Sequence, residues 1–159
     1  MSEAICDALN NAVARAVGIV GLIGIALIHA LQVPEAFEET TYLGVLFIGA
    51  ILASLVLSAA LTRTSDQRVW AAAGGLAAAI MVGYVLTRTS GLPDATLDVG
   101  NWTEPLGLAS LIAEGLVLCV SVGALASRGA MPSRGLWRPL TPATRPRDAN
   151  VSTTLANRS

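Results

Sequence analysis

The stretch YLGVLFIGAILASLVLSAALT, residues 42–62, decides the fold. No charge interrupts it between Glu39 and Arg63. As a helix it rises about 31 Å at 1.5 Å per residue, enough to cross a hydrocarbon core about 30 Å thick. Three further runs have the same character: residues 16–32, 69–87 and 106–127. The first is preceded by an amphipathic lead-in from residue 12, the third is opened by Ser65 or Asp66 as a helix cap, and the fourth contains one charge, Glu114. Apolar residues do not alternate with period two, so a membrane barrel is not in play. The expected fold is all-α: a four-span antiparallel transmembrane helix bundle over residues 1–127, followed by a tail.

Composition agrees. Of 159 residues, 53% are hydrophobic and 13% charged, against about 25% charged in soluble domains. No Lys occurs, and all ten cations are Arg. Cys6 lies before the first run and Cys119 inside the last, a spacing that fits neither a disulfide framework nor a metal motif. The first run does not read as a cleaved signal peptide, because Arg15 follows a long mixed leader and no A-x-A pattern sits after the apolar stretch.

The distribution of Arg orients the bundle. The 2–3 connection carries Arg63 and Arg68, and the segment after the fourth span carries Arg128, Arg134, Arg138, Arg145, Arg147 and Arg158. The 1–2 connection has Glu35, Glu38 and Glu39 and no cation. The 3–4 connection has Arg88 at its start against Asp94, Asp98 and Glu104. Both termini are therefore expected in the cytoplasm of a multi-pass plasma (inner) membrane protein. Residues 128–159, rich in Pro, Arg, Thr and Ser, read as a disordered basic tail, able to attract anionic lipid at about 1 kcal/mol per cation.

Any chemistry has to come from ionisable residues at membrane depth, which are costly there and face the bundle interior. His29 lies in the last turn of the first span, and Glu114 about 12 Å down the fourth. Helical spacing puts Glu114 on a stripe with Gly107, Ser110 and Ser121, and His29 with Gly18, Gly21, Ile25 and Gln32. It likewise puts Arg88 with Tyr84, Met81, Ala77 and Gly74, and Tyr42 with Gly49 and Ala53. Small residues let membrane helices approach closely, so the four stripes are expected to meet with His29, Tyr42, Arg88 and Glu114 in the outer half. With Glu35, Tyr84 and Glu104, these form the candidate cluster.

The cluster admits three readings. Arg88 and Glu114 (or Glu104) can form a structural ion pair, with His29 and Tyr84 as hydrogen-bond partners. It can bind a cation or small molecule entering from the outer face, where the loop carboxylates concentrate cations. It can relay protons or electrons in a larger complex. A zinc site needs His29 with several carboxylates, and a haem needs a second ligand such as Met81; no cofactor is expected. H-E-x-x-H, nucleophile-elbow, Walker and dinucleotide-binding motifs are absent, and without Lys neither Schiff-base nor Ser–Lys chemistry is available.

The outer connections carry more pattern than tethers need. Residues 34–43 read as a short interfacial helix starting at Pro34, with Phe37 toward lipid. Gly91 is placed to end the third helix. Asn101 or Thr103 can cap the fourth, Pro105 sits in its first turn, and Trp102 suits an aromatic belt.

The succession His29, Pro34-Glu35-x-Phe37-Glu38-Glu39, Tyr42-Leu43-Gly44-x-Leu46-Phe47, Gly83-Tyr84, Arg88-Thr89-x-Gly91-Leu92-Pro93 and Glu104-Pro105-Leu106-Gly107-Leu108 resembles a group of small four-helix membrane proteins of actinobacteria. The resemblance runs from about His29 to Glu114. It implies the four-span fold and an outer-face signature, and carries no activity with it. The function expected is a non-enzymatic accessory or interaction subunit, with a cation or small-molecule binder as the alternative. Its partners are the lipid bilayer and other membrane subunits or further copies of the chain; nucleic acid is not among them.

Overall fold

A computed structural model of the chain describes residues 2–129 and consists of four helices: α1 (Ser2–Glu39), α2 (Thr41–Arg63), α3 (Gln67–Thr89) and α4 (Pro105–Gly129). Each is long and apolar enough to cross a membrane, and the chain is a multi-pass membrane protein of all-α class. The expected basic tail lies outside the described residues.

Helix α1 departs from expectation. Its 38 residues span about 57 Å, well beyond a hydrocarbon core, and Pro34 lies inside it. No separate helix starts at that proline. A proline deletes one backbone hydrogen bond, a loss that membrane helices accommodate locally, and the chain instead breaks at Thr40, which is extended (φ −153°, ψ 145°). The reversal into α2 is closed by Thr40 N–H donating to the Ala36 carbonyl at 3.1 Å and Gly44 N–H to the Thr40 carbonyl at 3.3 Å. Phe37 is not simply lipid-facing, since its ring covers Gly44 where any Cβ would collide with it.

The core sits in the half of the bundle toward the α2–α3 turn, where Leu22, Ile25, Leu61, Trp70, Ala73 and Val117 are fully buried. Glycines bring the backbones together there. A Cβ on Gly18 would lie 3.0 Å from the Trp70 ring, one on Gly21 2.5 Å from Val117, and one on Gly74 3.0 Å from Ser121. At that end Arg15 donates to the Leu61 carbonyl at 2.6 and 3.0 Å and to the Thr62 carbonyl at 2.8 Å, a cation on the negative end of the α2 dipole. Asp66 caps α3, its carboxylate accepting from Arg68 N–H at 2.8 Å.

The expected stripes of α1, α3 and α4 are the packed faces: Gly21, Ile25 and His29; Gly74, Ala77 and Arg88; Gly107, Ser110, Glu114 and Ser121 are buried. That of α2 is not. Tyr42 and Gly49 are exposed, and α2 buries Leu43, Gly44, Ser54, Ser58 and Leu61 instead. Every position of α2 from Leu43 to Leu61 is apolar or small, so little hydropathy contrast marks its inner face. Around the bundle, α1 contacts α2 and α4, α3 contacts α4, and the α2–α3 seam is the thinnest.

Residues 90–104 fold back over one end. Gly91 adopts φ +72° and its N–H returns to the Leu86 carbonyl at 2.9 Å. A side chain there would meet both left-handed strain and Thr96 at 2.9 Å. Leu97 N–H donates to Glu39 at 3.1 Å, and Gly100 N–H to the Arg88 carbonyl at 2.9 Å. Ala95 packs with Ala36 and Leu43.

Candidate functional site

The loop's return to α3 places acids around Arg88. Its side chain is 4% exposed and pairs with Asp98 and, at 3.2 Å, with Glu104. The guanidinium carbon lies 4.9 Å from the centre of the Tyr84 ring, a cation–π distance. Glu104 does two jobs, because it is also the N-cap of α4: its carboxylate accepts from Leu106 N–H at 3.1 Å and Gly107 N–H at 2.8 Å. A negative group at a helix N-terminus satisfies orphan amides and the dipole together. The expected caps, Asn101 and Thr103, are displaced by this stronger acceptor. Gln32 adds a longer contact to Glu104 at 3.5 Å. Gly107 makes room, since a Cβ there would come within 2.5 Å of Tyr84 and 2.7 Å of the Glu104 carboxylate.

The Arg88–Glu114 pair expected from sequence does not form, and the alternative partner, Glu104, is the one engaged. Glu114 sits nearly three turns beyond Glu104 along α4, 1% exposed. Ser110 Oγ donates to its Oε1 at 2.5 Å, and its Oε2 has no hydrogen-bond partner among the described residues. His29 is buried on α1. Its Nδ1 lies 2.9 Å from the Ile25 carbonyl, which can only accept, so Nδ1 carries a proton and donates it there. Its ring centre is 4.9 Å from that of Phe47.

These residues surround a cavity of about 610 Å³, within the range of roughly 300–1,000 Å³ usual for small-molecule sites. His29, Ser110 and Glu114 form its polar floor, and Arg88 and Tyr84 one wall. Glu35, Glu39 and Asp98 stand at the loop end. The remaining wall is apolar and comes from both sides of the thin α2–α3 seam: Val45, Leu46 and Ala50 face Leu76, Ala79 and Ile80. Val45 and Leu46, which line it, are also 57% and 60% exposed, so the cavity is open at this seam.

Of the residues singled out from sequence, His29, Glu35, Tyr84, Arg88 and Glu114 line this one cavity. Glu104 supports it from behind Arg88. Tyr42 does not belong to it: it is 38% exposed and its hydroxyl donates to the Pro93 carbonyl at 2.6 Å, pinning the loop. Asp98 was not distinguishable in sequence from its neighbouring acids, because only the loop's path brings it to Arg88. Among the described residues no three His, Cys, Asp or Glu side chains converge as a metal site. Compared with known protein families, curated proteins and solved structures, the chain matches none.

Proposed function

We propose that this protein binds a small amphipathic molecule at the α2–α3 seam, admitting its apolar body from the bilayer and its polar head to the His29–Ser110–Glu114 floor. One observation carries the reading: a fully buried carboxyl with an oxygen unpartnered among the described residues lines a cavity of ligand size. Buried polar groups are normally satisfied, so an accessory subunit whose interior served packing alone would gain nothing from this arrangement. A bound head group supplies the missing partner.

The test fills the seam. Gly49 and Gly83 line the cavity, and a Cβ at either meets nothing within 4 Å, so Leu is accommodated at both. Native mass spectrometry of protein extracted in mild detergent should find a small hydrophobic molecule on the wild type. It should be absent from the Gly49→Leu/Gly83→Leu variant, with thermal stability little changed. A wild type that carries nothing, or equal occupancy in both, overturns the proposal.

The proposal includes an orientation, supported by Arg63 and Arg68 at the α2–α3 turn and acids at the opposite end: the loop carrying Asp98 faces outward. Thr96 and Thr64 are both exposed. In a background with Cys6 and Cys119 changed to Ser, Thr96→Cys should react with an impermeant thiol reagent on intact cells, and Thr64→Cys after lysis alone. The inverse pattern inverts the topology.

A further inference from the structure

Charge at the cavity selects the ligand. Among the described residues Arg88 is the single arginine lining it, and it is already engaged by Asp98 and Glu104. Against it stand the carboxyls of Glu35, Glu39, Asp98 and Glu114. His29 is committed through Nδ1, which donates to the Ile25 carbonyl. The floor therefore holds an acceptor in search of positive charge: Glu114 Oε2, 1% exposed in its residue and unpartnered among the described residues. An anionic head would meet Glu114 with no free cation to receive it. A bare metal ion is disfavoured too, since calcium takes 6–8 oxygen ligands, and Glu114 and the Ser110 hydroxyl are the oxygens assembled at the floor. The apolar walls of the seam ask instead for a hydrophobic body.

Resting on the ligand-site reading above, we infer that the cavity's ligand is a lipophilic organic cation, an ammonium-type head on an apolar body, whose charge is received by Glu114 at the end of the α2–α3 seam. The carboxylate then gains the ion pair it lacks, in a low-dielectric setting where the pairing is strong. The ring of Phe47, which also lines the cavity, adds cation–π attraction.

Tetraphenylphosphonium and tetraphenylborate share shape and apolar surface and differ in the sign of charge, so the pair isolates the claim. Equilibrium dialysis of the full-length protein in uncharged detergent should show saturable binding of the phosphonium and none of the borate at equal concentration. Glu114→Gln should weaken phosphonium binding about tenfold or more, whereas Glu114→Asp, which keeps the charge, should retain most of it. Circular dichroism melting checks that the variants fold. Equal binding of both ions, or a Gln variant that binds like wild type, overturns the inference. A co-purifying molecule that is neutral or anionic and is displaced by Gly49→Leu/Gly83→Leu would sink the cation assignment and leave the ligand site standing. Loss of seam dependence altogether would sink both.

Discussion

Changing Asp98 to Asn and Glu104 to Gln together should destabilise the bundle by roughly 3–5 kcal/mol, the usual cost of stripping a buried charge of its partners. Arg88 is 4% exposed and these are its two counter-ions among the described residues. Either single change leaves one carboxylate in place and should cost much less. Glu104→Gln should cost the more of the two, because it also weakens the α4 cap, worth about 1 kcal/mol. Adding Arg88→Met to the double variant should recover most of the loss, since charge and counter-charge then leave together. Thermal or chemical unfolding in mild detergent reads all of these. A double-mutant cycle of Arg88→Gln with Glu104→Gln should show coupling, and one with Glu114→Gln should be additive. Coupling to Glu114 in place of Glu104 would contradict the ion-pair geometry described above.

Trp70→Ala should cost about 3 kcal/mol, the lower end of the range for a buried aromatic. Trp70 is 1% exposed and fills the space that Gly18 leaves on α1, against Leu61 of α2. Two effects hold the figure down. Lipid is nearly as apolar as the core, so the transfer contribution shrinks and lost van der Waals contact dominates. The indole N–H is also buried and unpartnered among the described residues, so removing it relieves a polar penalty. The second site gives the decisive readout. Gly18→Leu alone should destabilise by overpacking, about 1–3 kcal/mol, because its Cβ already meets the ring at 3.0 Å. In the Trp70→Ala background the same change should stabilise. If Gly18→Leu has the same sign in both backgrounds, Trp70 and Gly18 do not share one packing site.

Three of the four helix faces were legible because a few polar or small residues broke otherwise apolar runs. His29, Arg88 and Glu114 each have to turn inward at membrane depth, and their positions three, four and seven residues from glycines and serines marked the packed side. In α2 no ionisable residue lies between Tyr42 and Leu61, and Tyr42, near an interface, has an exposed surface available to it. The stripe of Tyr42 is therefore not the packed face, and Tyr42 lies outside the cavity. The run through Pro34 was missed for a related reason: a local rule about proline at helix starts was overridden by the continuity of the long α1 helix.

The number and class of the spans, and the extents of α2, α3 and α4 to within two residues, followed from residues 16–32, 42–62, 69–87 and 106–127 alone, because membrane insertion depends on hydropathy summed over about 20 consecutive residues, a local and additive quantity. Which carboxylate meets Arg88 could not follow from any such sum. Asp98, Glu104 and Glu114 all lie within reach of Arg88 by plausible paths. The choice is made by the left-handed Gly91, by the Gly100 N–H bonded to the Arg88 carbonyl, and by Gly107 clearing space beside Tyr84. Those contacts hold Asp98 and Glu104 against the guanidinium, and leave Glu114 facing the α2–α3 cavity with one oxygen free.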